Sequence, residues 1–352
     1  MEPTYKIESF LYLLVYICPT SYGECMELVI LIVIFGLLFD YTNGFHDAAN
    51  VVSTVIATRV LAPFSAIVMA GVLNFIGATQ ISGVAQTVAS GLIDPQHATQ
   101  IVVLAAVAGA IIWNLITWHF GIPSSSSYAL IGGLVGSAWV HAGSKYIIWS
   151  GLTYKVLLPM VLSPFIGFLL SFLFMKGLKY YLRHDPHAHK RKIFGHLQIG
   201  SACFVALAHG LNDAQKSMGI ITLGLFTGGI ITSITIPIWV ILACAIVMGL
   251  GTATGGFRII RTMAFEITEI NPVQGFAAEL SSAAVILSAS FLGMPVSSTH
   301  MIAGSITGVG CAQSRKEVQW ATSHKLAIAW VLTLPCAGVV GAISYLFISL
   351  FY

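Results

Sequence analysis

Residues 121–133 read Gly121-Ile122-Pro123-Ser124-Ser125-Ser126-Ser127-Tyr128-Ala129-Leu130-Ile131-Gly132-Gly133, and residues 293–304 read Gly293-Met294-Pro295-Val296-Ser297-Ser298-Thr299-His300-Met301-Ile302-Ala303-Gly304. Each is a proline and a run of hydroxyl residues opening an apolar, glycine-containing helix, the pattern of a re-entrant or discontinuous helix rather than a simple crossing. The two align at an offset of 172, Pro123 to Pro295. A second pair precedes them in the same order: Gly44-Phe45-His46-Asp47-Ala48-Ala49-Asn50 aligns with Gly210-Leu211-Asn212-Asp213-Ala214-Gln215-Lys216 at an offset of 166. The spacing from aspartate to proline is 76 residues in the first half and 82 in the second. A duplicated chain with two copies of one motif set is a common plan for secondary transporters.

Composition gives this repeat its solvent. Lys, Arg, Asp and Glu supply 29 of 352 residues, or 8%, against about 25% in soluble domains. Hydrophobic residues make up 57% and the mean hydropathy is +0.89, so an ordinary soluble protein is excluded and a polytopic membrane protein is implied. A net charge of +3, with six of the 16 basic residues in one short stretch, gives no footprint for nucleic acid. Cys18, Cys25, Cys203, Cys244, Cys311 and Cys336 are scattered without metal-type spacing and read as small buried hydrophobes. At the N-terminus, the apolar stretch from Phe10 to Pro19 follows Glu2, Lys6 and Glu8 rather than a basic region, which argues against a secretory signal. Met26, just before the apolar run Leu28 to Phe39, is an alternative beginning for the folded part.

Apolar stretches fall at 27–45, 60–80, 101–119, 128–142, 155–175, 198–214, 234–250, 277–292, 300–311 and 325–350. They predict an all-α polytopic fold of about ten to twelve membrane segments, the short ones at 128–142 and 300–311 being discontinuous. The expected organisation is an N-terminal extension, 1–26; a first transport repeat, 27–175; a basic cytoplasmic loop, 176–197; and a second repeat, 198–352. That loop holds Lys176, Lys179, Arg183, Lys190, Arg191 and Lys192, and this excess places it on the cytoplasmic side against anionic lipid headgroups. His184, His187, His189 and His196 lie in it without cysteines or paired carboxylates, so a solvated loop is favoured over a metal site.

A Pro-Ser cluster opening a helix inside a membrane offers unpaired N–H groups, the positive end of a helix dipole and hydroxyl donors, an anion cradle. Two cradles meeting at a pseudo-two-fold axis suit a tetrahedral oxyanion held by neutral donors. For a single cluster, helix capping is the competing explanation; its recurrence at matching positions turns the balance toward binding. Asp47 and Asp213 lie in or beside apolar segments, where a carboxylate marks an ion or proton pathway, with Asn43 and Asn50 beside one and Asn212 and Gln215 beside the other. Such oxygens suit Na⁺, and a buried carboxylate suits H⁺. The alternative is two helix-capping aspartates in interfacial turns.

Lys216 takes the repeat position of Asn50, either replacing a coupling cation and pairing with substrate or Asp213, or snorkelling to the interface. His46 and His209 adjoin the aspartates as proton relays or as structural residues. Of Glu266, Glu269 and Glu279 only Glu279 enters an apolar segment, and Arg59, Arg258 and Arg261 read as anchors of segment ends. No Gly-x-Ser-x-Gly elbow, His-Glu-x-x-His helix or Walker loop is present, so the chain does not read as an enzyme. A passive anion channel shares the donor-lined pore but needs no buried carboxylates.

At residues 43–50 and 209–219 and at the two Gly-x-Pro-x-Ser-Ser-(Ser/Thr) clusters, the chain resembles the inorganic phosphate transporter (PiT) family, most of all its bacterial low-affinity permeases. The resemblance runs from about residue 27 to the end. It implies two inverted-topology repeats, a homodimer in the bacterial plasma membrane, and import of inorganic phosphate by symport with H⁺ or Na⁺ and no other cofactor; another tetrahedral oxyanion such as sulfate is the nearest alternative. Carried over by position, it puts phosphate at Ser124, Ser125, Ser126 and Ser127 and at Val296, Ser297, Ser298 and Thr299. Coupling falls to Asn43, His46, Asp47, Asn50, Asn212, Asp213 and Lys216, with Asp47, Asn50 and Asp213 as Na⁺ ligands if sodium is used. Many sodium-coupled members carry Asn where this chain has His46, and Asn again in place of Lys216. Both departures favour proton coupling, with a neutral metal–phosphate complex as a possible substrate.

Overall fold

A computed structural model describes residues 21–183 and 188–352, with side chains from residue 26 onward and without those of 188–192. Twelve helices account for most of them: α1 Ser21–Ala57, α2 Pro63–Ala78, α3 Gly83–Ser90, α4 Gln100–His119, α5 Ser126–Ala142, α6 Trp149–Leu182, α7 Ala188–Thr227, α8 Ile238–Thr254, α9 Phe257–Phe265, α10 Pro272–Phe291, α11 Ser298–Gln313 and α12 Trp320–Ile348. The order of the first six is repeated by the second six. A long helix with a central aspartate leads, and a pair bent by 71° (α2, α3) or 67° (α8, α9) follows. Then come a 20-residue helix, a helix opened by serines, and a long helix with an internal proline, Pro164 or Pro335.

The equivalent helices run in opposite directions. Thr58 at the end of α1 donates to Gln198 near the start of α7 (2.9 Å), while Val29 near the start of α1 lies against Gly228, just past the end of α7. Gln198 also abuts Gly275 near the start of α10, whereas Gln100 at the start of α4 lies beside Gly228. The serine-opened helices point apart. His141 at the end of α5 meets Tyr345 at the end of α12 (2.7 Å), and Ala312 at the end of α11 accepts from Lys179 of α6 (3.3 Å), at the end of the bundle carrying the basic segment. Packing is exchanged between halves: α12 covers α5 and α4, α6 covers α11 and α10, α2 lies on α7 and α8 on α1. Close backbone approach requires small residues at these crossings. A Cβ on Gly132 would sit 2.4 Å from the Leu334 carbonyl oxygen, and one on Gly304 2.5 Å from that of Pro164.

Among the described residues six helices are individually long and apolar enough to cross a membrane, eight spans if each bent pair is one. With α5 and α11, of 17 and 16 residues, and the four helices of the bent pairs, they make the ten to twelve segments expected. Outward faces are apolar, with Phe165 68% and Val331 65% exposed, as lipid contact requires. Three expectations change. The apolar stretches 27–45 and 198–214 continue to Ala57 and Thr227, so the motif-bearing aspartates lie inside continuous helices. The helices α3 and α9, polar or amphipathic and only 8 and 9 residues long, had no counterpart among the apolar stretches. The basic stretch 176–197 is mostly helix: α6 continues to Leu182 and α7 begins at Ala188, because Lys and Arg extend a helix readily once it leaves the apolar layer. His184 and His187 and the side chain of His189 lie outside the described residues, as do Cys18 and the side chain of Cys25. Cys203, Cys244, Cys311 and Cys336 are free thiols, and only Cys244 among them is fully buried.

Candidate functional site

α1 and α7 cross antiparallel with their central aspartates turned toward each other. One donor atom each of Asp47, His209 and Asp213 lie within 4.8 Å of one another, all three residues buried. Asp47 and Asp213 sit mid-helix, so the capping alternative falls. Gly44 and Gly210, three residues before the aspartates, permit the crossing of the partner half. A Cβ on Gly210 would be 2.1 Å from the Asn74 carbonyl oxygen on α2, and one on Gly44 2.8 Å from that of Met248 on α8.

Each aspartate is faced by a histidine, but from different positions. His46 Nδ1 donates to Asp47 Oδ1 at 2.8 Å, and its Nε2 lies 3.2 Å from Thr117 Oγ1 on α4. His209 Nε2 lies 3.3 Å from Asp213 Oδ2, and its Nδ1 3.3 Å from Asn74 Oδ1. At the 166-residue offset His46 matches Asn212 and Asn43 matches His209. The histidine and asparagine have traded places, and each half retains one of each beside its carboxylate. Asn212 donates to Ser290 Oγ (2.7 Å) and the Met294 carbonyl (3.3 Å), while both side-chain polar atoms of Asn43 are buried and without a hydrogen-bond partner among the described residues.

The serine helices deliver hydroxyls from the other direction. Ser126 donates to Asp47 Oδ1 (3.3 Å) and Ser127 to Asp213 Oδ1 (3.3 Å). Asn50 Nδ2 donates to Thr299 Oγ1 (2.9 Å) and Ser298 Oγ (3.1 Å). Lys216, at the equivalent of Asn50, donates to Ser127, itself the equivalent of Thr299, as well as to Asp213 Oδ1 and the Val296 carbonyl (2.9 Å). Fully buried and paired with Asp213, Lys216 does not snorkel. Just behind these hydroxyls the equivalent residues Tyr128 and His300 face each other with ring centroids 5.1 Å apart, so a local two-fold axis passes between them.

The eight residues of the serine clusters therefore divide. Ser125 and Ser297 are N-caps, accepting from the Tyr128 and His300 amides at 3.3 Å each. Ser124 donates to Thr117 Oγ1 (2.9 Å) at the inner end of a cavity of about 570 Å³, whose mouth carries Glu266 and Lys325. Val296 spends its amide on Met294 O (2.9 Å) and turns its carbonyl to Lys216. Ser126, Ser127, Ser298 and Thr299 present hydroxyls to the aspartates, Asn50 and Lys216, at the N-terminal ends of α5 and α11.

Several residues acquire or lose a role. Gln215 accepts from the Val84 and Ala85 amides (2.8 and 3.1 Å), holding the start of α3 rather than facing the aspartates. Arg258 donates to the His119 carbonyl (2.9 Å) over the Trp118 ring, an anchor as expected. Glu279 is fully buried, and Thr54, Ser201 and Gln198 donate to it, joining α10 to α1 and α7. Asp40 was not singled out by the sequence reading. It is fully buried in α1 and accepts from Ser217 Oγ at 2.7 Å, and a lone carboxylate inside an apolar run was the available signal.

Formal charge states what the arrangement can do. Two carboxylates and one ammonium leave the site at −1 with neutral histidines. An anion placed between the serine helices would add negative charge to a site that is already negative and buried, a cost that a bound cation or proton would offset. The imidazoles of His46 and His209 are proton acceptors within reach of the carboxylates, and Asp47, His209 and Asp213 together offer the mixed N and O donors that a divalent metal takes.

A model of the phosphate transporter family matches residues 43–341. A probable low-affinity inorganic phosphate transporter of Bacillus subtilis is 44% identical over 328 residues, covering 92% of this chain and 98% of that protein. One from Rhizobium meliloti is 45% identical over 313 residues, covering 88% and 93%. One from Mycobacterium tuberculosis is 45% identical over 320 residues, covering 90% and 77%. Among solved structures, one titled the sodium-dependent phosphate transporter has the same fold, with a TM-score of 0.84, 24% identity, and coverage of 93% of this chain and all of that one.

Proposed function

The chain belongs to the phosphate transporter family, as a multi-pass protein of the bacterial plasma membrane, and on that premise we propose that it imports inorganic phosphate by symport with protons, through alternating access of two inverted repeats. The observation that carries this reading is the charge balance between the serine helices: two buried carboxylates, one buried ammonium and two imidazoles within reach. Phosphate takes the hydroxyls of Ser126, Ser127, Ser298 and Thr299 and the first-turn amides of α5 and α11. Asn50 and Lys216 add one donor from each half. Protons on the His46–Asp47 and His209–Asp213 pairs offset the incoming charge. Antiparallel α1 and α7 and the exchanged packing of α6 and α12 support a rocking of one half against the other.

Lys216 favours protons over a full sodium complement. It fills with a fixed ammonium the position at which the other half offers the Asn50 amide, so a cation at Asp213 would meet a positive charge already bound. The Asp47, His209 and Asp213 donor set supports a second reading of the cargo, in which phosphate travels as a neutral complex with a divalent metal. The cavity ending at Ser124 and Thr117 opens at the end bearing the basic segment, which the Lys/Arg excess assigns to the cytoplasm, and is read as the release route.

Purified protein in sodium-free liposomes is expected to accumulate labelled phosphate when the outside is made acidic, and unlabelled phosphate to compete better than sulfate. Uptake indifferent to pH and sodium gradients alike, at rates far above carrier turnover, overturns symport in favour of a channel. Preferred competition by sulfate overturns the substrate.

A further inference from the structure

Two turns to either side of the central aspartate, α1 meets a further buried carboxylate. Seven residues beyond Asp47, toward the basic end, Thr54 donates to Glu279, whose two oxygens are covered by Thr54, Gln198 and Ser201. Seven residues before it, about 10 Å away along the helix toward the opposite end, is Asp40. Its Oδ1 accepts from Ser217 Oγ at 2.7 Å, and its Oδ2 is buried with no hydrogen-bond partner among the described residues. The ionisable groups around Asp40 are few. The packed helix α2 carries none, α4 carries only His119 at its far end, α8 presents the Cys244 thiol, and α7 presents Asp213 one turn before Ser217.

From this geometry we infer that Asp40 is a proton-binding residue of the outward half, taking a proton on Oδ2 when that side opens to water and requiring it for that side to close. The inference rests on the proposed proton symport and adds a residue to it. A carboxylate enclosed with one oxygen undonated is a bare buried charge, and a bound proton removes it. A metal ion is a poor substitute, because hard cations collect six or more oxygens and, among the described residues, Ser217 alone is hydrogen-bonded to Asp40. Ser217 ties Asp40 to the helix that carries Asp213 and Lys216, one turn and one residue away, so the proton on Asp40 is sensed by the element that forms the phosphate site. Glu279 has donors on both oxygens, where Asp40 has one oxygen without any, which distinguishes the two ends of α1.

The test uses the full chain in liposomes with a trapped pH-sensitive dye, comparing wild type with Asp40→Asn and Asp40→Glu. Asp40→Asn keeps the neutral shape, so labelled phosphate counterflow stays within about twofold of wild type while the protons entering per phosphate fall by about a third, those of the His46–Asp47 and His209–Asp213 pairs remaining. Net uptake by this variant also depends less steeply on outside pH. Asp40→Glu restores proton entry with its pH midpoint displaced by about half a unit, the ordinary difference between the two side chains. Wild-type proton entry in Asp40→Asn overturns the assignment and leaves proton symport standing. If Asp40→Asn does not insert, an unchanged pH midpoint in Asp40→Glu overturns it instead. Wild type that carries phosphate with no proton entry overturns the symport reading, and this assignment with it.

Discussion

The two halves of the site are built on one template and filled differently. In the first, Asn50 reaches across to Thr299 and Ser298; in the second, Lys216 reaches from the equivalent position to Ser127 and also pairs with Asp213. The geometry is shared and the charge is not. Asp213 has a permanent counterion from its own helix, whereas Asp47 has histidines beside it, His46 and His209, which are charged on protonation alone. A two-fold scaffold thus yields one half neutralised by construction and one half whose neutralisation depends on what is carried. Variants that exchange or remove these partners are the means of breaking the comparison.

The largest effect is expected at the half with the fixed pair. Asp213→Asn leaves the Lys216 ammonium buried without its counterion, costing about 3–5 kcal/mol of stability in addition to abolishing uptake. Asp47→Asn removes uptake as completely but leaves thermal stability near wild type, since no cation is stranded. Melting curves of the two purified variants beside uptake assays check this, and equal destabilisation would erase the distinction between the halves. Next, Lys216→Asn makes the halves alike. Uptake is expected to fall about tenfold or more in sodium-free medium and to recover in part with added sodium, because Asp213 then needs a cation from solution. Sodium-insensitive residual uptake would contradict the account of Lys216.

Smaller effects follow from packing and capping. Gly210→Ala is expected to destabilise more than Gly44→Ala, by about 1–3 kcal/mol of overpacking, because its Cβ meets the Asn74 carbonyl at 2.1 Å against 2.8 Å from Met248 for Gly44. The denaturation midpoints of both variants read this directly. Smallest are the caps. Ser125→Ala and Ser297→Ala each cost about 1 kcal/mol of stability with little change in phosphate affinity, whereas Ser127→Ala and Thr299→Val weaken affinity about tenfold with less loss of stability. A phosphate titration of all four separates cap from binding hydroxyl.

Most of this site was legible because the repeat could be aligned without coordinates: the offsets of 166 and 172 pair Asn50 with Lys216 and Ser127 with Thr299, and these four meet. The traded positions of histidine and asparagine were visible in the same alignment, but only the crossing of α1 and α7 gives them meaning. What escaped has physical causes. α3 and α9 are too short and polar to register as apolar stretches, and the bends before them depend on tertiary packing. Which serines cap and which turn their hydroxyls to the aspartates is decided by a rotation of about 100° per residue at the helix start, finer than any composition signal. Asp40 was hidden by its neighbours, one carboxylate averaged into an apolar run. The basic segment was read as a loop because charge marks exposure, not backbone conformation.

The central claim is that phosphate enters with protons that offset the charge of Asp47, beside a second half already neutralised by Lys216. Its most direct test is a simultaneous record of labelled phosphate uptake and internal pH in sodium-free proteoliposomes of the wild-type protein. The account predicts that each addition of external phosphate acidifies the interior, in a fixed ratio to the phosphate accumulated. Accumulation that leaves internal pH unchanged and appears only under a sodium gradient would contradict it.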